Sequence, residues 1–342
     1  MRAQVLEHCQ PIVGTGDPLV SAELAPPRPG RGEVLIRVRS CGVCHTEIDE
    51  IEGRTPPAFL PMILGHQVIG EIVEAGDGVE QLDVGARVGV AWIYSACGTC
   101  SFCVQGQENL CPDFMATGRD AHGGYADYMI APAAFVHPIP DSLATIEAAP
   151  LLCAGAIGYR SLALTGLENG QILALTGFGG SGHLVLHMVR HLFPDSPVYV
   201  FARSPEQRRF ALELGAAWSG RSGEQPPAPP DAVIDTTPVW KPVVDALAIL
   251  RPGGRLVINA IRKQDDDKDL LRTLRYERHL WMEKEIKSVA NVCRGDVREF
   301  LSLAAAADIR PEVRTYPLAQ AGKAILDLKR GNFRGARVLV MD

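Results

Sequence analysis

Four cysteines in one short stretch have the spacing that points most directly to chemistry. They follow the pattern C-x2-C-x2-C-x7-C at Cys97, Cys100, Cys103 and Cys111. Four thiolates this close in the chain can close a tetrahedral zinc site, with Zn–S bonds of about 2.3 Å and no open position. An iron–sulfur cluster is the alternative, because ferredoxins also use C-x2-C-x2-C runs. The spacing favours a structural zinc site.

A second set of potential metal ligands is dispersed along the chain. Cys44 lies in SCGVCHTE, His66 in LGHQ and Cys153 in PLLCAG. Two thiolates and one imidazole are a ligand set that leaves the fourth position of zinc open for catalysis. A single cysteine in an apolar stretch, such as Cys153, is also common as a core residue. The other cysteines are interpreted as buried thiols outside both sets: Cys9, Cys41 and Cys293.

A glycine-rich turn indicates a nucleotide site. Gly177, Gly179 and Gly182 give G-x-G-x-x-G between a predicted strand at 172–176 and a predicted helix at 183–193. Glycines here permit a tight turn and a close approach of the backbone to a pyrophosphate, which then lies at the helix N-terminus. The predicted dinucleotide contacts in this turn are Gly177, Phe178, Gly179, Gly180, Ser181 and Gly182.

The end of the next predicted strand, at 198–202, bears on the choice of cofactor. NAD-binding units place an acidic residue here to bind the ribose hydroxyls. Ala202 occupies that position and is followed by Arg203 and Ser204. Because an arginine can pair with a 2′-phosphate, this strand end favours NADP(H) over NAD(H). A solvated arginine with a relaxed cofactor choice is the alternative.

The elements that must position these residues divide into two parts. The first 150 or so residues contain short apolar runs separated by glycine, proline and aspartate, which is typical of a β-rich domain. From about residue 153 to the predicted strand at 255–260, strands alternate with helices, which predicts βαβ units on a parallel sheet. A predicted helix at 296–307 and short strands near Val313 and Val338 follow. The predicted fold class is α/β.

Composition agrees with two globular domains and excludes several function classes. The chain has 342 residues, of which 46% are hydrophobic and 22% charged. A net charge of −6 and an aromatic content of 6% argue against a nucleic-acid partner. No run is long and apolar enough to predict a membrane span, and the opening MRAQVLEHCQ lacks the apolar core of a signal peptide. We therefore expect a cytoplasmic protein whose nine cysteines are thiols or metal ligands.

Taken together and in order, the motifs resemble the zinc-dependent alcohol dehydrogenases of the medium-chain dehydrogenase/reductase family. The motifs that carry the resemblance are CGVCHTE at 41–47, GHQVIGEIVEAGDGV at 65–79, CGTCSFCVQGQENLC at 97–111, GGYADY at 123–128 and GFGGSGH at 177–183. It implies a GroES-like β-barrel catalytic domain at 1–152 and 290–342 and a Rossmann doubly wound parallel-sheet domain at 153–289. It also implies two zinc ions per chain, NADP or NAD as cofactor, an alcohol, aldehyde or ketone as substrate, and a homodimer or homotetramer.

The same resemblance implies roles for individual residues. Cys44, His66 and Cys153 would hold a catalytic zinc ion, and the four-cysteine loop would hold a structural one. The Thr46 hydroxyl would contact the substrate oxygen, and the Glu47 carboxylate would accept the ring N–H of His66. The remaining implied roles are proton relay for Asp49, the substrate pocket for Trp92 and the cofactor pyrophosphate for His45.

Three positions depart from the family pattern. Gln67 replaces the glutamate that follows the histidine ligand in relatives, and Asp49 stands where close relatives have a histidine. An unperturbed carboxyl pKa of about 3.9 matches neutral pH less well than that of imidazole. Arg337 comes one place later than an arginine of many relatives, so we predict no pyrophosphate role for it. Two alternatives stay open: a family reductase for a cyclic or thioester-linked substrate, and a non-catalytic dinucleotide-binding relative.

Overall fold

The chain divides into two units, and the second is inserted in sequence between the two parts of the first. The computed structural model describes residues 1–331 and 335–341. The first unit comprises Met1–Cys153 and Val292–Asp342, and the second comprises Ala154–Asn291. The sequence places the second domain at 153–289, so the observed boundaries lie one and two residues further along. Cys153 consequently belongs to the same unit as the rest of its predicted ligand set.

The elements of the first stretch, in chain order, are β1 Arg2–Leu6, β2 Val20–Glu23, β3 Glu33–Val43, α1 His45–Ile51, β4 Met62–Ile63, β5 Val68–Ala75, β6 Arg87–Val90, β7 Ile93–Ser95, α2 Ser101–Val104, β8 Met115–Ala116, β9 Tyr128–Pro132, β10 Val136–Pro138 and α3 Thr145–Pro150. The second unit contains α4 Ala156–Thr165, β11 Leu173–Thr176, α5 Gly180–Leu192, β12 Val198–Phe201, α6 Pro205–Glu213, β13 Trp218–Gly220, β14 Ala232–Asp235, α7 Lys241–Ile249, β15 Arg255–Ile258, α8 Tyr276–His279 and β16 Glu285–Ser288. The chain then returns to the first unit through α9 Arg294–Ala306, β17 Val313–Pro317, α10 Ala321–Arg330 and β18 Ala336–Val340.

The first unit is organised around β3. Its main sheet has the order β10-β6-β5-β3-β18-β17, and β9 also pairs with β3. Val34, Ile36 and Val38 alternate along β3 and are at most 1% exposed, because alternate residues of a strand point to the same face. They pack into the core of this unit with residues of β5 and β18. The buried strand β3 ends directly before Cys44 and so fixes the position of that residue.

The second unit contains the parallel sheet that the alternation of strands and helices predicts. Its order is β13-β12-β11-β14-β15-β16, and all neighbouring strands are parallel. The chain builds outward from β11 in one direction and then from β14 in the other. The switch point between these two central strands is where open α/β sheets bind ligands, outside the carboxyl ends of the strands.

Apart from shifts of one or two residues at element ends, α5 and β16 show how the structure differs from the sequence-based elements. The helix predicted at 183–193 begins earlier, as α5 Gly180–Leu192, because the backbone is already helical directly after Gly179. The strand β16 was not predicted, since all four of its residues are exposed and carry no apolar pattern. Within the part of the chain that the structure describes, no helix combines the length and apolar character needed to cross a bilayer.

Candidate metal centres and dinucleotide site

The dispersed cysteines and histidine meet in the first unit. The ligand atoms of Cys44, His66 and Cys153 lie within 4.8 Å of one another, and Cys44 Sγ is 3.6 Å from His66 Nε2. Cys44 caps the N-terminus of α1, where the N–H of Thr46 donates to its sulfur over 3.3 Å. Cys153 lies in the wide helical turn Leu151–Gly155 that follows α3. Three distant segments of the sequence therefore converge on one point.

Glu47 orients the imidazole of His66. Glu47 Oε1 lies 2.7 Å from His66 Nδ1, and Glu47 Oε2 accepts the backbone N–H of Cys44 over 2.8 Å. Burial alone would lower the pKa of His66, but the charges of Glu47 and Cys44 raise it well above its ordinary value. Because the carboxylate engages Nδ1, the other ring nitrogen, Nε2, is left to act as a metal ligand.

This donor set fits a zinc ion that keeps one coordination position free. The pKa of Cys44 is raised well above its ordinary value by its hydrogen bond with Cys153, by burial and by the negative charge of Glu47. Two thiolates this close together in a buried place need a cation between them. A divalent ion supplies that charge, and sulfur and imidazole are the ligands that zinc prefers.

The side chains with a predicted role in proton transfer lie on α1. Thr46 is half-buried beside Cys44, and Asp49 is 7% exposed. Asp49 Oδ1 accepts the Nε–H of Arg54, a partner that the sequence did not predict. His45 is the first residue of the same helix. The short helix therefore places Thr46 next to the candidate ligands and holds Asp49 in an ion pair.

Trp92 packs against the candidate histidine ligand. The ring centroids of Trp92 and His66 lie 4.9 Å apart in an edge-to-face arrangement, and Trp92 is 3% exposed. The guanidinium of Arg119 lies 5.5 Å from the centroid of the same tryptophan ring. Phe59 and His122 form another edge-to-face pair at 5.3 Å. Sequence reasoning missed Arg119 and His122, although His122 directly precedes the GGYADY motif and Arg119 lies four residues before it.

The four cysteines of the loop also converge. Their sulfur atoms lie within 4.8 Å of one another, with 3.5 Å between Cys97 and Cys111 and 3.9 Å between Cys97 and Cys103. Ligands at about 2.3 Å around a tetrahedral ion stand roughly 3.8 Å apart. The spacing therefore fits a single ion, whereas the cysteines of a cluster bind different iron atoms and stand further apart. Backbone N–H groups of Thr99 and Cys100 lower the pKa of Cys97 to about 6 and so favour its thiolate.

Glu108 anchors this loop to the start of α9. Its Oε1 accepts the Nε–H of Arg294 over 2.7 Å, and its Oε2 accepts the backbone N–H of Arg294 over 3.1 Å. The guanidinium also stacks on Phe135 at 4.5 Å. Cys293 Sγ donates to Asn109 Oδ1 over 2.9 Å. The buried thiol of Cys293 thus helps to connect α9 to the four-cysteine loop, a contact that the sequence did not predict.

In the second unit, the glycine-rich turn joins β11 to α5. Gly177 has a φ of +85°, in the left-handed region that favours glycine. A Cβ on Gly182 would stand 2.8 Å from Gly177 O, so only glycine allows this packing of helix against turn. A Cβ built on Gly179 would meet no neighbouring heavy atom of the described residues within 4 Å, so there is room for a phosphate at this position. The remaining predicted contacts lie in the same turn: Phe178, which is buried, and Gly180 and Ser181, which begin α5.

The end of β12 is shaped by local hydrogen bonds. Ala202 is 4% exposed, and Arg203 is exposed. Arg208 Nη1 donates to the carbonyl oxygens of Ala202 and Arg203, each over 2.9 Å. The Ser204 hydroxyl caps α6 by accepting the N–H of Glu206 over 3.2 Å. The serine therefore has a structural role in addition to its predicted one, and Arg208 is a residue that sequence reasoning missed.

Arg337 lies closer to the start of α1 than its position in the sequence indicates. It is 2% exposed and stands opposite Val43 in the pairing of β18 with β3. Its Nη2 donates to Asp327 O over 2.8 Å. Partial desolvation lowers the pKa of His45; the charge of Asp49 opposes this shift, and the positive charge of Arg337 contributes to it. The one-residue offset does not remove Arg337 from the neighbourhood of His45.

Proteins similar to this chain include several alcohol dehydrogenases. Residues 30–141 match the family model described as the alcohol dehydrogenase GroES-like domain. The chain is 42% identical over 329 residues to the "Probable alcohol dehydrogenase AdhA" of Mycobacterium tuberculosis, which covers 95% of this chain and 93% of that relative. It is 34% identical over 326 residues to an alcohol dehydrogenase of Geobacillus stearothermophilus, with 93% and 94% coverage.

The similarity extends to solved structures. A cobalt- and zinc-bound thermostable alcohol dehydrogenase from Pyrobaculum aerophilum has a TM-score of 0.84 and 26% identity, and the match covers 100% of this chain and 99% of that one. The matches span both units. They confirm the predicted fold class, a GroES-like β-barrel domain with a Rossmann parallel-sheet domain.

Proposed function

Because this chain belongs to the zinc-dependent alcohol dehydrogenases of the medium-chain dehydrogenase/reductase family, we propose that Cys44, His66 and Cys153 hold the zinc ion of its reaction centre. The enzyme transfers a hydride reversibly between an alcohol, or the corresponding aldehyde or ketone, and NAD(P). The observation that carries the site assignment is the convergence of these three ligand atoms within 4.8 Å.

The chain's own residues position the reactants and move the proton. A zinc ion bound by this set supplies Lewis-acid chemistry, and a bound nicotinamide supplies the hydride acceptor or donor. Glu47 holds the tautomer of His66 that presents Nε2 to the metal. Thr46 Oγ1 accepts the proton that the substrate hydroxyl releases and passes it outward, in the direction of Asp49. Trp92 forms an apolar wall of the substrate pocket.

The four-cysteine loop is the proposed site of a second, structural zinc ion, which gives two per chain. The sulfur spacing and the backbone N–H donors to Cys97 support this assignment. Closed four-thiolate sites have no position for substrate, and their metal stabilises the fold. A reducing compartment keeps such thiols available, so we also propose a cytoplasmic location, supported by nine cysteines that are all free thiols.

Metal analysis combined with turnover tests the reaction centre. Wild-type protein is expected to contain two zinc ions per chain and to turn over members of a panel of alcohols, aldehydes and cyclic ketones. Cys44→Ala should lose one zinc ion and all turnover, while dinucleotide binding stays measurable because the glycine turn lies in the other unit. Cys9→Ala, outside both cysteine sets, is the control and should keep both metals. Unchanged kcat in Cys44→Ala would show that the reaction centre lies elsewhere.

We propose that the enzyme prefers NADP(H) modestly over NAD(H). Ala202 leaves no carboxylate to repel a 2′-phosphate, and the exposed Arg203 offers a charged partner for it. A charge-assisted hydrogen bond contributes about 1.5–3 kcal/mol, which corresponds to roughly one to two decades in affinity. His45 and the residues of the glycine turn are the proposed partners of the pyrophosphate, and Ser204 completes the strand end.

Exchanging the strand end tests the cofactor preference. Ala202→Asp combined with Arg203→Ala should move the preference to NAD(H), because it adds a ribose acceptor and removes the phosphate partner. The measurement is kcat/KM with both cofactors. Arg209→Ala, an exposed arginine on α6, is the control and should leave the ratio unchanged. A wild-type preference for NAD(H) of about tenfold or more contradicts the proposal.

We propose a homodimer, or a homotetramer built from such dimers, joined through the edge strand β16. Ile286 is 47% exposed on this strand, between Glu285 and Lys287. Antiparallel pairing about a two-fold axis at Ile286 places Glu285 of each copy opposite Lys287 of the other, which matches their charges. Large apolar side chains are exposed on the chain that leads into the strand: Tyr276, Trp281 and Met282.

A further inference from the structure

A buried ion pair lies at the carboxyl end of β14. Lys263 Nζ contacts Asp235 Oδ2, and the two side chains are 8% and 0% exposed. Lys263 Nζ also donates to Thr237 O over 2.7 Å and to Val239 O over 3.1 Å. An ammonium has three protons to donate, and here each has an acceptor. Removing two charges from water is costly, so such a pair persists where its geometry and hydrogen bonds compensate.

The carboxylate of the pair connects it to the strand that precedes the glycine turn. Asp235 Oδ1 accepts hydrogen bonds from the hydroxyl groups of Thr176 and Thr237. Thr176 is the last residue of β11 and stands opposite Asp235 in the parallel register of β11 and β14. One ion pair therefore joins the end of β11, the segment after β14 and the segment after β15.

The same segment forms the wall behind the glycine turn. The backbone N–H and the hydroxyl of Thr236 donate to Thr176 O over 2.9 and 3.0 Å. A Cβ built on Gly177 would lie 2.6 Å from Thr236 Oγ1 and 3.1 Å from Thr237 Cγ2. The two threonines thus occupy the space directly beside the first glycine of the turn. β11 and β14 flank the switch point at which open parallel sheets bind their ligand.

We propose that Lys263 is a positioning residue for the dinucleotide: its ammonium binds Asp235 and Thr237 on either side of Thr236, keeps this segment against Gly177 and so maintains the shape of the phosphate-binding turn. The inference rests on the proposed dinucleotide site at this turn. Lys263 itself does not contact the cofactor in this assignment, because its three donors are used within the protein. Loss of Lys263 therefore weakens dinucleotide binding even in protein that is fully folded.

A charge-balanced pair of substitutions separates positioning from stability. Lys263→Met alone leaves the buried carboxylate of Asp235 unpaired and strongly destabilises the second unit. Asp235→Asn combined with Lys263→Met removes both charges at similar volume and is expected to restore much of the melting temperature. The carbonyl groups of Thr237 and Val239 still lack their donor, so the dissociation constants of NADPH and NADH should rise roughly tenfold or more. Zinc content and kcat at saturating cofactor should stay within about twofold of wild type.

The dissociation constants are measured by fluorescence titration of the zinc-loaded full chain with each reduced cofactor. Thermal unfolding gives the melting temperatures. Lys241→Met, which breaks the exposed pair with Asp245 in the same unit, is the matched control and should bind both cofactors as wild type does. Thr236→Val carries no unpaired charge and serves if the paired variant does not fold. The expected result for it is again weaker binding.

Three results overturn the inference in distinguishable ways. Wild-type affinity in the paired variant shows that Lys263 serves stability only, and wild-type affinity in Thr236→Val shows that the threonines beside Gly177 do not shape the turn. Either result overturns the inference and leaves the proposed function intact. Failure of the wild-type chain to bind either dinucleotide overturns the proposed site and this inference together.

Discussion

His66 illustrates how single side chains determine the chemistry of the first unit. Glu47 engages its Nδ1, and Trp92 packs edge-to-face on its ring, so Nε2 is directed at the cysteines. The neighbouring Gln67 is 3% exposed, and its backbone carbonyl oxygen accepts the N–H of Gly42 over 2.9 Å. The side chain of Gln67 is a neutral amide, so it brings no negative charge to this buried position.

His137 should make the stability of the first unit depend on pH. It is 6% exposed, and burial, followed by the charges of Arg298 and Arg294, lowers its pKa to about 4. In the unfolded chain a histidine has its ordinary pKa of about 6.5. Between these two values the unfolded chain binds a proton that the folded chain does not. The contribution of neutral His137 to the free energy of unfolding is therefore complete above the unfolded pKa. As the pH falls below that value, this free energy decreases by about 3 kcal/mol at most.

Urea unfolding between neutral and mildly acidic pH measures this contribution. His137→Phe cannot take up the proton, so its unfolding free energy should fall less steeply with decreasing pH than that of wild type. His8→Gln removes an exposed histidine and should follow the wild-type curve. A difference between wild type and His137→Phe that stays constant with pH contradicts the prediction.

At the scale of elements, short helices and loops carry the ligands, and long strands place them. α1 has seven residues, and its N-terminal capping box is made by Cys44 and Glu47. The hydrogen bonds that start the helix are therefore the same ones that orient the candidate ligands. The four-cysteine loop is similar, because its short helix α2 begins directly after Cys100 and contains Cys103, and Glu108 anchors the loop.

Cys103→Ser should cost stability rather than chemistry. Four thiolates anchor this loop, and metal binding at such a site contributes directly to folding. We expect one zinc ion per chain to be lost and the melting temperature to fall, while the remaining soluble protein keeps the metal of the reaction centre. Metal analysis and thermal unfolding check this, with Cys9→Ser as the control. Full stability after loss of one zinc ion would be incompatible with a structural role for the loop.

At the scale of the whole molecule, the candidate metal centres and the candidate dinucleotide site lie in different units. Both candidate metal centres lie in the first unit, and the glycine turn with its supporting ion pair lies in the second. The parallel sheet of the second unit ends in the exposed strand β16. An unpaired edge with free backbone donors and acceptors is a template for another strand, and a second copy of the chain satisfies it symmetrically.

Ile286→Lys should reduce the molecular mass of the particle in solution. Two lysine side chains would face each other at the two-fold axis, where like charges directly opposite destabilise strand pairing. Light scattering after size-exclusion chromatography measures the mass. Val84→Lys, which adds the same charge at an exposed position of the first unit, is the control. Equal masses for wild type and Ile286→Lys would exclude β16 as the interface.

The sequence by itself determined the features whose residues are close in the chain. The four-cysteine loop closes over 15 residues and the glycine turn over six, so spacing and residue type suffice to predict their chemistry. Apolar alternation and the succession of strands and helices predicted the two-part α/β organisation, because these periods follow from backbone geometry. The dispersed set of Cys44, His66 and Cys153 could be assigned only through resemblance to a family.

Tertiary structure alone decided which distant side chains meet. Glu108 contacts Arg294 across 186 positions, and Lys263 reaches Asp235 across 28. Arg119 lies on Trp92, which in turn packs on His66. Such pairs depend on strand register and on how helices pack over the sheets. No periodicity or residue spacing in the sequence specifies either of them. The same reason explains Arg337, whose place beside the start of α1 follows from the pairing of β18 with β3.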